Sequence, residues 1–271
     1  MALSVATNVG ALSAAVSASS VNRSMETSMA RLSSGSRINS AADDAAGLSI
    51  ATRLEAEARG LDMAYKNAAD AQSLVDTADS ASIEIGNILQ RIRELAVQGA
   101  SDTNASADRT NIKAEVDELI KEINDIAADT KWAGNTLIDA VNTFKFQIGN
   151  EKSETIEFKT TDSDTTALSV SIAGTSQSNM ADLITAANTA IASIATSRAK
   201  LGATSNRLDY AMQHFANTSA AVKSSLGRIK DTDYAAETTN LAKTQILQQA
   251  ATSMLAQANA SKQSVLQLLQ G

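Results

Sequence analysis

The side chains able to do chemistry are few in this chain and poorly placed for it. There is one histidine, His214, and no cysteine, so the common nucleophilic triads and structural zinc sites have no basis here. The adjacent pair Asp43-Asp44 offers carboxylates to a metal. No histidine or further acidic cluster stands near it, and a hard cation needs several converging ligands. The pair is read instead as the first turn of a helix, where negative charge suits the dipole, with Ser40 as the cap. Glu115 and Glu118 lie at the spacing of a solvated helix face. No glycine-rich phosphate loop occurs. The chain is read as non-enzymatic and without a cofactor or metal site.

Periodicity carries what chemistry does not. Leu61, Ala64, Ala68, Ala71, Val75, Ala78, Ser82, Ile85, Leu89, Ile92 and Ala96 follow one another in alternating steps of three and four. That repeat predicts a long helix laid along other helices, at about 1.5 Å of rise per residue. A second seam runs from Leu183 through Ala187, Ala190, Ile194, Leu201, Leu208 and Phe215 to Ile229, its polar members all Ser or Thr. Proline is absent and aromatics make up only 3% of the 271 residues. Both facts fit long, narrow helical seams. A net charge of −7 argues against nucleic acid as the main partner. No apolar run of about 18 residues is present to span a membrane. Met1 to Val5 lacks the basic start and apolar block of a secretory signal, so a secreted product is expected to need another route.

In chain order, residues 3–33 predict a soft helix with one stripe at Val5, Val9, Leu12 and Val16 and another, shifted in phase, at Met25, Met29 and Leu32. Such a helix is marginal unless its apolar face is packed. Ser33, Ser34 and Gly35 end it, and Arg37 to Asn39 cross a short connection. Gly99 to Ser106 is a turn, and Asp108 to Asp129 a further helix with Ile112, Val116, Leu119, Ile123 and Ile126 on one face. Trp132 is expected to anchor the following loop. From Phe144 the period becomes two, predicting a hairpin of 144–148 with 155–159 and a third strand at 168–172. The Ser- and Thr-rich stretch from Thr160 to Thr166 is a candidate for O-linked sugars. The last helix, 233–269, has an apolar pattern too wide for a lone solvated helix, including Leu247, Met254, Leu255, Val265, Leu266 and Leu269.

Three blocks resemble bacterial flagellins. The first runs from Arg31-Leu32-Ser33-Ser34-Gly35 through Asp43-Asp44-Ala45-Ala46-Gly47, and the second from Leu89 to Gln98. The third comprises Arg228 to Ala235, Gln245 to Ala250, Leu255 to Asn259 and Val265 to Leu269. The fold class expected is mostly α: a long antiparallel, coiled-coil-like bundle from both chain ends with a small central β-hairpin region. Residues 1–41 with 234–271 form a terminal inner-core domain, and 42–233 a rod with its hairpin at 141–173 and no outer variable domain. Ser33, Ser34, Gly35, Arg37, Asn39, Asp43 and Asp44 form the inter-domain connection.

The resemblance implies a filament subunit of the flagellum, exported by the type III route, outside the cell and used for swimming. Its implied partners are other copies of itself, an export chaperone and export apparatus, and the filament cap and hook-associated proteins. Arg91, Leu95 and Gln98, one residue out of phase with the seam, are expected to line an outward face. The resemblance joins Arg91, Leu95 and Glu115 in the surface bound by Toll-like receptor 5 and buried between stacked subunits. Two alternatives stand beside this: a hook–filament junction protein, and the coiled-coil signalling rod of a chemoreceptor.

Overall fold

The computed structural model describes residues 7–149 and 152–270, with side chains through Ser264 at the C-terminal end. Five helices and two small hairpins follow one another: α1 (Val9–Ser34), α2 (Ala45–Gly99), α3 (Ser106–Asp129), β1 (Lys131–Trp132), β2 (Asn135–Thr136), β3 (Thr143–Gln147), β4 (Thr155–Lys159), α4 (Gln177–Lys230) and α5 (Tyr234–Gln270). The fold is the mostly α bundle the periodicity predicts. It divides into two compact units, residues 1–56 with 221–271 and residues 57–220.

In the second unit α2 and α4 lie antiparallel. Gln72 Nε2 donates to Ser205 Oγ at 2.7 Å, Arg198 Nε to Asp79 Oδ1 at 2.8 Å and Ser219 Oγ to Asp62 Oδ1 at 2.8 Å, so rising numbers on one helix meet falling numbers on the other. Every seam residue expected on α2 from Ala64 to Ala96 is buried. Ser82, the polar interruption, donates its hydroxyl to Ala78 O at 2.7 Å, and a buried hydroxyl so bonded costs little. On α4 the predicted seam is buried at Leu183, Ala187, Ala190, Ile194, Ser197, Leu201, Leu208 and Phe215. The third helix, α3, buries Ile112, Val116, Ile123 and Ala127 against the same core.

Helix ends are set by local chemistry. The α2–α3 turn is closed by Arg109, whose guanidinium donates to the carbonyl of Gly99 (3.0 Å), an acceptor the helix end leaves over, and to that of Ser101 in the turn (3.2 Å). Ser176 Oγ caps α4 by accepting the Asn179 N–H at 3.2 Å, so this helix begins earlier than its apolar seam. Asp233 Oδ1 caps α5 through the N–H groups of Ala235 and Ala236.

Two corrections concern the extended region. Ala133 and Gly134 both have positive φ, 49° and 85°, and turn β1 back onto β2 as a two-residue hairpin. Trp132 packs half-buried on the core from this hairpin. β3 and β4 pair as expected, with Phe144 opposite Phe158 and Phe146 opposite Ile156. The third strand at 168–172 does not form. Leu168 and Val170 do alternate into the core, but Ser169 between them has φ 54°, and the backbone bonds locally, Val170 N–H to Thr165 O at 3.0 Å. Thr160, Ser163 and Thr165 are buried, which removes three hydroxyls of the 160–166 stretch from any sugar.

The connection between α1 and α2 also differs from expectation. The helix begins at Ala45, and its cap is Asp44, whose Oδ1 accepts the Gly47 N–H at 2.8 Å. Ser40 lies in the preceding turn, where Asp43 Oδ2 accepts the N–H groups of Ser40 (2.9 Å) and Asn39 (3.1 Å). Those bonds, Ser40 first, hold the Asp43 carboxyl below the usual carboxylate range. The turn is therefore stabilised above the unfolded pKa, and that contribution is lost as pH falls through the lower folded value. Gly47 is required by space: a Cβ there would collide with the Asp44 carboxylate that caps the helix and stand 2.7 Å from Ile38 Cδ1. Ile38 is itself buried. Gly47→Ala is expected to lower stability by about 1–2 kcal/mol in thermal unfolding, the cap loss outweighing the gain in helix propensity.

Candidate assembly surfaces

The first unit is built around an antiparallel pair, α1 with α5, whose Cα atoms approach within 8 Å. The residues turned inward explain that closeness. On α1 they are Ala11, Ala14, Ala18, Val21, Met25 and Ser28, and on α5 Leu241, Thr244, Gln248, Ala251, Leu255 and Ala258. The small members, Ala11, Ala14, Ala18, Ser28, Ala251 and Ala258, let the backbones come together, and the steps of three and four keep each seam on one face. Asn8 caps α1 by accepting the Ala11 N–H at 3.0 Å and reaches across to Ala258 O at 3.2 Å. Thr7 and Asn8 thus precede the helix, which starts later than the sequence pattern.

The large aliphatic residues of these helices point elsewhere. Val9, Leu12 and Val16 are 65%, 62% and 63% exposed, and Ile246 and Met254 on α5 are 67% and 65% exposed. Leu247 is exposed and Leu255 half-buried in the seam. The expected stripe on α1 is therefore present, with the chain's own packing leaving it open. Val5 lies outside the described residues, as do the side chains of Val265, Leu266 and Leu269, which belong to α5.

The two connections of this unit clasp each other. Gly35, the left-handed cap of α1 at φ 69°, offers its carbonyl to the Thr232 N–H at 3.0 Å, and Ser36 bridges Asp231. Arg37 binds the end of α4 twice, its N–H to Lys230 O at 2.7 Å and its guanidinium to Ile229 O at 2.7 Å. Carbonyls at a helix C-terminus attract a cation for the same reason they lack partners. Ser34 Oγ accepts the Ser36 N–H at 3.2 Å, while Ser33 is exposed. Tyr234 and Glu237, not singled out from the sequence, join the clasp: the Tyr234 hydroxyl donates to Leu32 O at 3.4 Å, and Glu237 lies 3.8 Å from Arg31. A basic residue just past a glycine cap was the available signal for Arg37.

The third surface lies on α2 and α3. Arg91 Nη2 and Nε reach Glu115 Oε1 at 2.8 and 3.2 Å, and Nη1 reaches Glu94 at 3.4 Å. Glu115 above all, then Glu94, holds the Arg91 guanidinium above its ordinary value. Gln98 is exposed on the same helix. Leu95 is not on this surface. It is 2% exposed and part of the core shared with α3, which corrects its expected outward placement. The out-of-phase position looks outward only if α2 has a single partner, and α3 supplies a second. Among the described residues no cluster has metal-ligand geometry, and no helix is long and apolar enough to cross a membrane.

A subunit with open apolar stripes on its terminal helices is completed by its neighbours, and unlike surfaces that meet without closing a ring generate helical polymers. The class of protein is thus a structural subunit of a helical assembly. The chain belongs to the bacterial flagellins. Residues 5–143 match the family model for the bacterial flagellin N-terminal helical region, and 184–269 that for the C-terminal helical region. It is 40% identical over 245 residues to a flagellin of Halalkalibacterium halodurans, covering 89% of this chain and 90% of that one. Polar flagellin A of Vibrio parahaemolyticus is 34% identical across 376 aligned positions, covering 99% and 100%. Since this chain has 271 residues, that alignment carries a long gap on its side. The crystal structure of Bacillus cereus flagellin superposes with a TM-score of 0.51 at 30% identity, covering 58% of this chain and 94% of that one. A putative flagellar hook-associated protein from V. parahaemolyticus reaches 0.61 at 13% identity, covering 70% and 100%, a likeness of fold alone. The protein is a short flagellin, a non-enzymatic subunit of the extracellular flagellar filament.

Proposed function

We propose that this flagellin joins its filament through two distinct surfaces. Residues 1–41 with 234–271 form the inner core, where the stripes of α1 and α5 are covered by neighbouring copies around the export channel. Residues 42–233 form the rod, without an outer variable domain, and Ser33 to Asp44 connect the two. Arg91, Gln98 and Glu115 form the face buried between stacked subunits, with Leu95 supporting it from beneath. In the monomer the same face is offered to Toll-like receptor 5. The observation that carries this reading is the small-residue α1–α5 seam beside an unsatisfied aliphatic stripe.

Before assembly that stripe needs a cover, which supports an export chaperone as a partner. Passage through the type III apparatus is favoured by a terminal pair whose large aliphatic residues Val9, Leu12, Val16, Ile246 and Met254 stay outside the seam. The filament cap and hook-associated proteins are the remaining partners, meeting the same terminal helices at either end of the polymer.

The test is negative-stain electron microscopy of the purified chain with circular dichroism before and after short filament seeds are added. Long filaments, with helicity rising as they grow, are expected. A chain that stays monomeric at high concentration and leaves the seeds unchanged would remove the two-surface reading.

A further inference from the structure

We propose that the exposed face of α4 bearing Lys200, Arg207 and Tyr210 docks, in the filament, against the acidic face of α3 bearing Glu122, Asp125 and Asp129 on a second copy. The inference rests on the filament reading and names a pair of surfaces within it. Glu122, Asp125 and Asp129 are all exposed and step by three and four along one face of α3. No ion pair reaches any of the three among the described residues, although Lys121 binds Glu118 at 2.6 Å and Arg91 binds Glu115 at 2.8 Å nearby. Like charges at this spacing repel. They also crowd the C-terminal end of α3, whose last turn holds no basic residue, so the helix dipole opposes them as well. In the isolated chain no ion pair offsets these charges, and a cation from outside would.

The cationic counterpart is on α4. Lys200 and Arg207 are seven residues apart, the same interval as Glu122 and Asp129, and Tyr210 is exposed one turn beyond Arg207. Seven residues of helix rise about 10.5 Å, so the two sets match in spacing. Neither Lys200 nor Arg207 takes part in an ion pair among the described residues, so the two faces do not satisfy each other within one chain. Within each copy both faces stay free, and a surface that meets a different surface on the next copy propagates without closing. Opposite charges at such a contact set register and speed association more than they add affinity.

The experiment is a charge swap read by seeded elongation. Three variants are compared: Lys200→Glu with Arg207→Glu, Glu122→Lys with Asp129→Lys, and all four substitutions together. Each reversal alone is expected to slow elongation at least about ten-fold, and the combined variant to return to within about three-fold of the original rate. Circular dichroism and melting of the monomers check that each variant folds. Should a reversal disturb folding, the milder Lys200→Gln with Arg207→Gln is expected to slow elongation and flatten its dependence on salt. Single reversals that elongate normally, or a combined variant as slow as the worse one, overturn the pairing. Since the original chain still forms filaments in that case, the filament reading is judged separately.

Discussion

Leu95→Asp is expected to unfold the second unit, and any loss of polymerisation or receptor recognition in that variant follows from this. Leu95 is 2% exposed in the core that α2, α3 and α4 share. Removing a buried leucine costs about 2–5 kcal/mol, and the carboxylate that replaces it must be either desolvated or protonated. The expected loss of at least ~4 kcal/mol is a large part of the 5–15 kcal/mol that holds a typical domain together. Thermal unfolding should show a lowered, broadened transition before any assembly assay is run. The paired variant Arg91→Ala with Glu115→Ala alters the outer face alone, since both residues are exposed and bound to each other. It should melt close to the original chain, and its polymerisation and receptor-reporter activity then report on the face itself. A Leu95→Asp chain that melts normally would place Leu95 outward after all.

The second large effect is expected from the α1 stripe. Val9→Asp, Leu12→Asp and Val16→Asp together should leave the monomer's circular dichroism nearly unchanged, because the α1–α5 seam uses other residues. Assembly should fail. Burying the rest of each side chain is worth roughly 1–2 kcal/mol, and each new carboxylate would have to shed water. A combined penalty of ~4–6 kcal/mol raises the critical concentration by about a thousand-fold or more. Sedimentation of seeded mixtures measures it. Pellets equal to those of the original chain would show that the stripe faces water in the filament too.

The long seams were legible because a repeat sustained over many heptads admits one geometry: α2 buries every seam position from Ala64 to Ala96, and α4 those from Leu183 to Phe215 except Thr204 and Ala211, which are half-buried like Thr218, Val222, Ser225 and Ile229. Leu95 was misplaced because a seam names one partner, whereas the width of a buried face depends on how many helices surround it. The third strand failed differently. Alternation at Leu168 and Val170 is a signal of alternating burial, and a turn through Ser169 satisfies it without a neighbouring strand. Ser40 lost the cap to Asp44 because the carboxylate sits next to the first helical residue. For the connection, Gly35 was readable from its residue type, while the clasp with Ile229 to Thr232 joins segments nearly two hundred residues apart. The openness of the last helix was legible from an apolar pattern too wide for a lone helix, while for α1 the pattern did not say which of its two stripes the chain itself covers. The charge faces of α3 and α4 are plain in the sequence only after the helices are known to leave them bare.

The alanine seam between α1 and α5 has a mechanical meaning. Large interlocking knobs fix the axial setting of one helix on the other; here they are confined to Val21, Met25, Leu241 and Leu255, while Ala11, Ala14, Ala18, Ala251 and Ala258 present a shallow track. Axial setting then depends on a few polar latches: Asn22 Oδ1 accepts from Gln248 Nε2 at 2.9 Å, and Asn8 donates to Ala258 O. Around the alanine-rich stretch, a shift of the pair would be resisted mainly by those latches. In the inner core proposed above, a wall of such pairs would lengthen on one side and shorten on the other at little cost, as the wall of a bent, rotating rod must on every turn.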